Sequence, residues 1–237
     1  MKIGFFTDVH YCDSEYLGLG RKPRVAIERV REAMQVFKEE GVELCFCLGD
    51  MTDHAPAEKR EDALRNMREC VSIIRGFGIP FYLVPGNHDY LMLTGKEMEG
   101  EGLRLPPYVV ETQACRLIAL DANYRSSMQR FDVEGEKWDD ANLPPAQLEF
   151  LDKELSISKK PCFILIHENL DPSVDSAHIV KNAEKAREII SRHKERVKMV
   201  IQGHYHYGSQ IEIDTVPYLT LSAMCIGEEN PYKIIEI

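Results

Sequence analysis

Five short apolar runs in this chain each stop abruptly on residues able to ligate a metal, and that recurrence limits the fold more than any other feature. Residues 3–6 lead into Asp8-Val9-His10, and the run 42–48 leads into Gly49-Asp50. Residues 81–84 lead into Gly86-Asn87-His88-Asp89, 163–166 into His167, and 199–201 into Gly203-His204-Tyr205-His206. Short apolar runs bounded in this way read as buried strands. Strands that all end in such residues predict one site at a shared sheet edge. Gly49 removes the side chain beside the Asp50 carboxylate, so another backbone or a ligand can approach the strand end closely.

Between the runs the pattern changes period. Pro23 sits where a first helical turn tolerates it, and Ala26, Val30, Ala33, Met34 and Phe37 step at helical spacing toward a stop at Gly41. Ala63, Leu64, Met67, Cys70, Val71 and Ile74 mark a second amphipathic helix that ends near Gly76 or Gly78, before a strand over 80–84. Strand, helix, strand, helix, strand implies parallel pairing with right-handed crossovers, which gathers Asp8, Asp50 and Asn87 on one edge. Residues 90–107 read as an irregular excursion, 108–111 and 114–120 as an antiparallel pair, and 121–142 as a long loop holding the one tryptophan, Trp138. Pro144-Pro145 opens a helix with Leu148, Leu151 and Leu155 on one face, which is expected to cover the sheet. A strand at 162–166, a helix around 183–193 and strands at 197–202 and near 210–213, 218–221 and 233–236 complete the chain.

At 237 residues and 44% hydrophobic, the chain can bury one substantial core, and no Ser/Gly/Pro-rich linker divides it, so we read one domain over 1–237. Seven cysteines without a Cys-x-x-Cys pair read as reduced, buried thiols, with Cys45 and Cys47 on one strand face as core packing. The formal net charge of -10 argues against long nucleic acid as a partner. Met1-Lys2 runs straight into the first strand without the regions of a signal peptide, and no apolar run approaches membrane-spanning length. The expectation is a cytoplasmic protein with no membrane contact.

Taken in order, Asp-x-His, Gly-Asp, Gly-Asn-His-Asp, a lone His after a strand and Gly-His-x-His resemble the calcineurin-like metallophosphoesterases over nearly the whole chain. Reading these residues as ordinary loop polar groups would place five of the eight histidines at strand exits by coincidence. The resemblance implies an α/β metallo-dependent phosphatase fold, a four-layer α/β/β/α sandwich with two mixed sheets. It implies one metal held by Asp8, His10 and His206, a second by Asn87, His167 and His204, and Asp50 bridging both. It also makes His88 the group that contacts the phosphoryl oxygen and protonates the leaving alkoxide, with Asp89 orienting it. Two cations, divalent or of mixed valence, need a bridging carboxylate to offset their repulsion while sharing a hydroxide nucleophile. Two divalent ions, two carboxylates and one hydroxide leave a charge of about +1, which attracts a phosphoryl group to an acidic protein. The mixed nitrogen and oxygen donors suit manganese, iron or zinc.

Asp53 and His54 read as a turn-forming acid and a solvated histidine outside the site. His178 reads as a loop residue and His193 as a helix-end residue, neither with a catalytic partner. The protein-phosphatase extensions of the family are absent, since Gly49-Asp50 continues as Met51-Thr52-Asp53-His54-Ala55 and Asp89 follows His88. Residues 6–11, with Gly20-Arg21 and Arg24, resemble the manganese-dependent ADP-ribose and CDP-alcohol diphosphatase branch. Arg21 and Arg24 are candidates for a distal phosphate and Tyr90, Tyr124 and Tyr205 for stacking on a base, set against readings as solvated charges and loop aromatics. The expected reaction is hydrolysis of a small nucleotide-type phosphodiester or diphosphate. The alternatives are a protein or small-molecule phosphomonoester phosphatase and a non-catalytic metal-binding scaffold.

Overall fold

The computed structural model of the chain describes residues 1–53, 59–131 and 137–237. β1 (Lys2–Phe6), β2 (Leu44–Cys47) and β3 (Phe81–Leu83) pair in parallel, joined through α1 (Pro23–Glu39) and α2 (Arg60–Arg75). β10 (Lys233–Glu236) adds antiparallel to β1, which gives a first sheet in the order β10-β1-β2-β3. The second sheet runs β4-β5-β6-β7-β9-β8, from β4 (Tyr108–Glu111), β5 (Arg116–Ala119), β6 (Cys162–Leu165), β7 (Val197–Gln202), β8 (Tyr207–Ile213) and β9 (Val216–Ser222). Its centre is parallel and its two edge strands, β4 and β8, are antiparallel.

Side-chain alternation sorts these strands into layers. Ile3, Phe5, Leu44, Phe46 and Leu48 of the first sheet face Leu117, Phe163, Leu165 and Ile201 of the second in a core between the sheets. The opposite face of the first sheet presents Phe6, Cys45 and Cys47 to Ala26, Val30, Met34, Met67 and Cys70 of α1 and α2. On the outer face of the second sheet, Ile118, Ile164 and Val200 meet Leu151 and Leu155 of α5 (Pro145–Ile157) and Ala186 and Ile190 of α6 (Ala183–Arg192). This is the expected α/β/β/α sandwich. Both faces of the central strands are covered, which is why their sequences are continuously apolar. All seven cysteines are buried and free. Among the described residues no helix is long and apolar enough to cross a membrane.

The excursion at 90–107 is more ordered than its sequence suggests. It holds the end of α3 (Asn87–Met92) and all of α4 (Gly95–Gly100), which a Thr94-x-x-Glu97 capping box starts. The Thr94 N–H donates to Glu97 Oε2 at 2.8 Å, the Glu97 N–H donates to Thr94 Oγ1 at 3.3 Å, and buried Met98 anchors the turn.

Phe46 lies between Phe5 and Tyr82, with ring centroids at 5.7 and 5.2 Å, and is fully buried. Phe46→Ala is expected to lower unfolding free energy by about 3–5 kcal/mol, the range for truncating a buried aromatic. Urea denaturation measures this, and a loss below about 1 kcal/mol would show that the inter-sheet core closes over the gap.

Candidate metal centre and adjoining cleft

The carboxyl ends of the parallel strands meet at one edge. Beyond β1 and β2 the chain keeps pairing, with Asp8 N–H donating to Gly49 O at 3.0 Å and His10 N–H to Asp50 O at 2.8 Å. After β9, Met224 N–H donates to Thr7 O and Cys225 N–H to Asp8 O, which ties the second sheet to the same corner. Asp8, His10, Asp50 and His204 all have positive φ, from 48° to 66°, among eight such non-glycine residues described. Left-handed backbone is costly for these residue types, and here it turns four side chains inward at the ends of strands. Two glycines make room. Gly49 has φ of 102°, and a Cβ at Gly86 would stand 2.2 Å from Asp50 Oδ1.

Asp50 occupies the middle. Its Oδ2 lies 3.4 Å from His10 Nε2 and 3.4 Å from His167 Nε2, while Oδ1 accepts the His88 backbone N–H at 2.8 Å. A single carboxylate oxygen therefore faces both groups of histidines. On one side, His206 Nε2 is 3.1 Å from His10 Nε2 and 3.3 Å from Asp8 Oδ1. On the other, ligand atoms of Asp50, His167 and His204 lie within 4.8 Å of one another. Asn87 opens α3 beside them and lines the same cleft as Asp50 and His204. Buried Cys225 also brings its thiol within 4.8 Å of ligand atoms of His10 and His206.

The remaining polar atoms fix these side chains in place. Asp8 Oδ2 accepts from Thr7 Oγ1 at 2.6 Å and from the His204 N–H at 3.0 Å. His167 Nδ1 donates to Leu48 O at 2.6 Å, which turns Nε2 toward Asp50. Asp8 Oδ1, Asn87 Oδ1, His167 Nε2 and His204 Nε2 are buried without a hydrogen-bond partner. Buried polar atoms are rarely left so, and these four are hard or borderline donors at the strand ends that carry Asp50, the environment a cation completes. Residues and metal ions fit each other here.

Electrostatics agree with that. Burial works against ionised Asp8 and Asp50, yet neighbouring histidines hold both carboxyls below the usual range. Burial likewise opposes charge on His10, but its hydrogen bond to Asp53 and the nearby Asp8 and Asp50 raise it to about 9. Burial, followed by the neighbouring His167, keeps His204 well below the ordinary histidine range, and so neutral. The corner concentrates negative field that either protons or cations can satisfy.

His88 and Asp89 depart from the expected pairing. His88 Nδ1 is 3.1 Å from Asp53 Oδ1, and Asp53 Oδ2 reaches His10 Nδ1 at 3.0 Å and Arg21 Nη1 at 2.9 Å. Asp53, read from sequence as a turn former, is thus a buried acid behind two histidines. Asp89 does not orient His88. Its oxygens accept from Gly86 N–H, Thr52 N–H and Thr52 Oγ1 at 3.0 to 3.2 Å, so it caps the start of α3 and locks the Asn87 loop to the Asp50 loop. Adjacent side chains on a helix point about 100° apart, which is why proximity in sequence misled. Burial and the Asp50 charge push the Asp89 carboxyl up to about 6. Glu168 is buried with both oxygens unpartnered, and burial pushes it up to about 8 against the pull of His167.

A cleft of about 260 Å³ opens over Asp50, Asn87, His88, His204 and His206, and Leu19, Arg21, Leu91, Trp138 and His178 complete its lining. Arg21 is drawn into it, with Nη1 3.3 Å from His88 Nε2, whereas Arg24 is exposed and paired with Asp13 at 2.6 Å. His178, which had no partner in sequence, packs its ring 5.0 Å from that of His204. Tyr90 is buried, with its hydroxyl donating to Asp121 at 3.0 Å, and Tyr124 is covered by Arg130 at 5.0 Å. Tyr205 packs against His178 and Tyr207, and His193 pairs with Asp152 at 2.8 Å. His54 lies outside the described residues. The long-loop position of the sole tryptophan was the one sequence signal for Trp138, and nothing in the sequence marked Leu19 or His178.

A model of the calcineurin-like phosphoesterases matches residues 1–208. A probable cyclic nucleotide phosphodiesterase from Psychrobacter arcticus is 26% identical over 183 residues, covering 71% of this chain and 58% of that protein. The match thus spans under two thirds of that relative's length. Among solved structures, a dimetal phosphatase from Danio rerio superposes with a TM-score of 0.83 at 20% identity, covering 99% of this chain and 91% of that one. GAP50, the anchor in the inner membrane complex of Plasmodium, gives 0.67 at 14% identity, covering 97% and 74%. These two likenesses bear on the fold alone.

Proposed function

The chain belongs to the calcineurin-like phosphoesterase family, and we propose that it hydrolyses a small nucleotide-type phosphodiester or diphosphate at a dinuclear centre. Asp8, His10 and His206 would hold one ion and Asn87, His167 and His204 the other, with Asp50 shared. The observation that supports this most is the set of four buried donor atoms without a hydrogen-bond partner, Asp8 Oδ1, Asn87 Oδ1, His167 Nε2 and His204 Nε2, at the same strand ends as Asp50. Bound metal ions supply Lewis-acid polarisation of the phosphoryl oxygen and a nucleophile from water at neutral pH. The donor set suits manganese, iron or zinc.

The protein's own part is positioning and proton transfer. Asp53 accepts from His88 Nδ1 and so aims Nε2 into the cleft, where it protonates the departing alkoxide. Arg21 sits on Nε2 before substrate arrives. An incoming phosphoryl anion draws the guanidinium to its oxygens and frees Nε2 to take a proton from solvent water, which it then passes to the leaving alkoxide. Asp89 acts at one remove, by holding the loop that presents Asn87 and His88.

Asp53→Asn keeps the shape of the side chain and removes the charge behind both His10 and His88. It is expected to lower kcat about 10- to 100-fold and to weaken metal retention, as loss of a group behind a ligand does. Steady-state kinetics with metal analysis measures both, and an unchanged kcat at full occupancy would refute this role for Asp53.

The substrate class rests on three features. The chain is acidic, it lacks the protein-phosphatase extensions, and the cleft is near the lower end of ligand-pocket sizes. A manganese-supplemented panel of cyclic nucleotides, ADP-ribose, CDP-alcohols, glycerophosphodiesters, a phosphopeptide and single-stranded DNA tests it. Nucleotide-type diesters or diphosphates are expected to be cleaved first. Preferred cleavage of the peptide or the DNA overturns the substrate class, and no turnover at full metal occupancy overturns the enzyme reading in favour of a binding scaffold.

A further inference from the structure

We propose that Trp138 is the platform on which the base of a nucleotide ligand stacks, an inference that deepens the nucleotide-type reading above and rests on it. Trp138 is 38% exposed and lines the cleft. Its ring stands 5.6 Å from the His204 ring at 66° and 5.3 Å from the His178 ring at 54°, and those two rings are 5.0 Å apart. The indole is therefore braced by the His204 imidazole of the candidate centre and by that of His178 beside it, with much of its surface left open. Leu19, 84% exposed, and Leu91 contribute apolar surface to the same cleft. Its polar lining, Asp50, Asn87, His88 and Arg21, lies where the phosphoryl group is handled.

A cleft with a cation-binding, phosphate-directed floor and an indole wall fits a ligand that is anionic at one end and flat and aromatic at the other. A nucleotide has that form. Bases stack on aromatic side chains in a way that tolerates sequence, because every base has a π-face. The platform thus predicts preference for nucleotides over base-free esters, with weak discrimination among bases. None of the three tyrosines that sequence marked for stacking is among the residues lining the cleft: Tyr90 is buried, Tyr124 is covered by Arg130 and Tyr205 packs against His178 and Tyr207.

Trp138 is the only tryptophan in the chain, so its fluorescence reports on this position alone. Adding AMP to the metal-loaded protein is expected to quench that fluorescence saturably, and ribose 5-phosphate, which has the phosphate without the base, is expected to leave it unchanged. By calorimetry, Trp138→Ala should weaken AMP about 5- to 150-fold, the range for losing one base–aromatic stack, and leave ribose 5-phosphate unaffected. Trp138→Phe should retain most of the AMP affinity. AMP binding without a fluorescence change, equal weakening of both ligands in Trp138→Ala, or no AMP binding at all overturns the stack. The hydrolase reading fails separately. A protein that cleaves glycerophosphodiesters but ignores AMP loses the platform and keeps the enzyme, whereas one that is quenched by AMP but hydrolyses no phosphoester loses the enzyme and keeps the platform.

Discussion

Replacing Asp50 with alanine is expected to empty both metal positions at once and to lower phosphodiester hydrolysis on the order of 10³-fold or more. That exceeds the 10- to 100-fold expected from losing a group behind a ligand. The reason is geometric, since one oxygen, Oδ2, stands 3.4 Å from both His10 Nε2 and His167 Nε2. Without it, the two proposed cations would lose the negative charge that offsets their repulsion. His206→Ala is the comparison, because His206 approaches His10 and Asp8 but belongs to one side. It should disturb mainly one ion. Elemental analysis and circular dichroism of each variant distinguish metal loss from unfolding. An Asp50→Ala protein that keeps two ions and full rate would falsify the shared-ligand assignment.

His88→Ala is expected to keep its metals and to lose about 10² to 10⁴ in rate on an alkyl ester. The same variant should lose much less on an aryl ester, whose leaving group departs without a proton. Retention of metal is expected although a ring nitrogen of His88 lies within 4.8 Å of ligand atoms of His10 and Asp50. The His88 ring faces Asp53 and Arg21, and the contact it makes with Asp50 comes from its backbone N–H, which alanine preserves. Equal losses on both esters would leave His88 as a phosphate contact only. A loss of metal comparable with that of Asp50→Ala would make it a ligand.

Several parts of this molecule can be read directly from the chain. The helices at Pro23–Glu39 and Arg60–Arg75 and the strand at Val197–Gln202 stand where apolar periodicity puts them. The reason is that both sheets are covered on both faces, so local pattern and tertiary burial agree. The gathering of Asp8, Asp50 and Asn87 at one edge also follows from parallel topology, which the alternation of strands and helices already implies. The sequence missed α4, whose only local signal is the Thr94 and Glu97 capping pair in a segment rich in glycine and glutamate.

What the tertiary structure decided is which side chains face one another across those strand ends. Asp89 follows His88 in the chain yet turns away to cap α3, and Asp53, from a different loop, takes the place behind His88. Spacing along a sequence fixes the face of an element, but a side chain's partner is set by the loop that packs opposite it. Trp138, His178, Leu19 and Arg21 come from three separate loop segments and share one cleft. No periodic pattern spans those loops, so sequence alone determined the sheets and the order of the strand-end residues, and only the packing of loops over the sheet edge determined the cleft beside them.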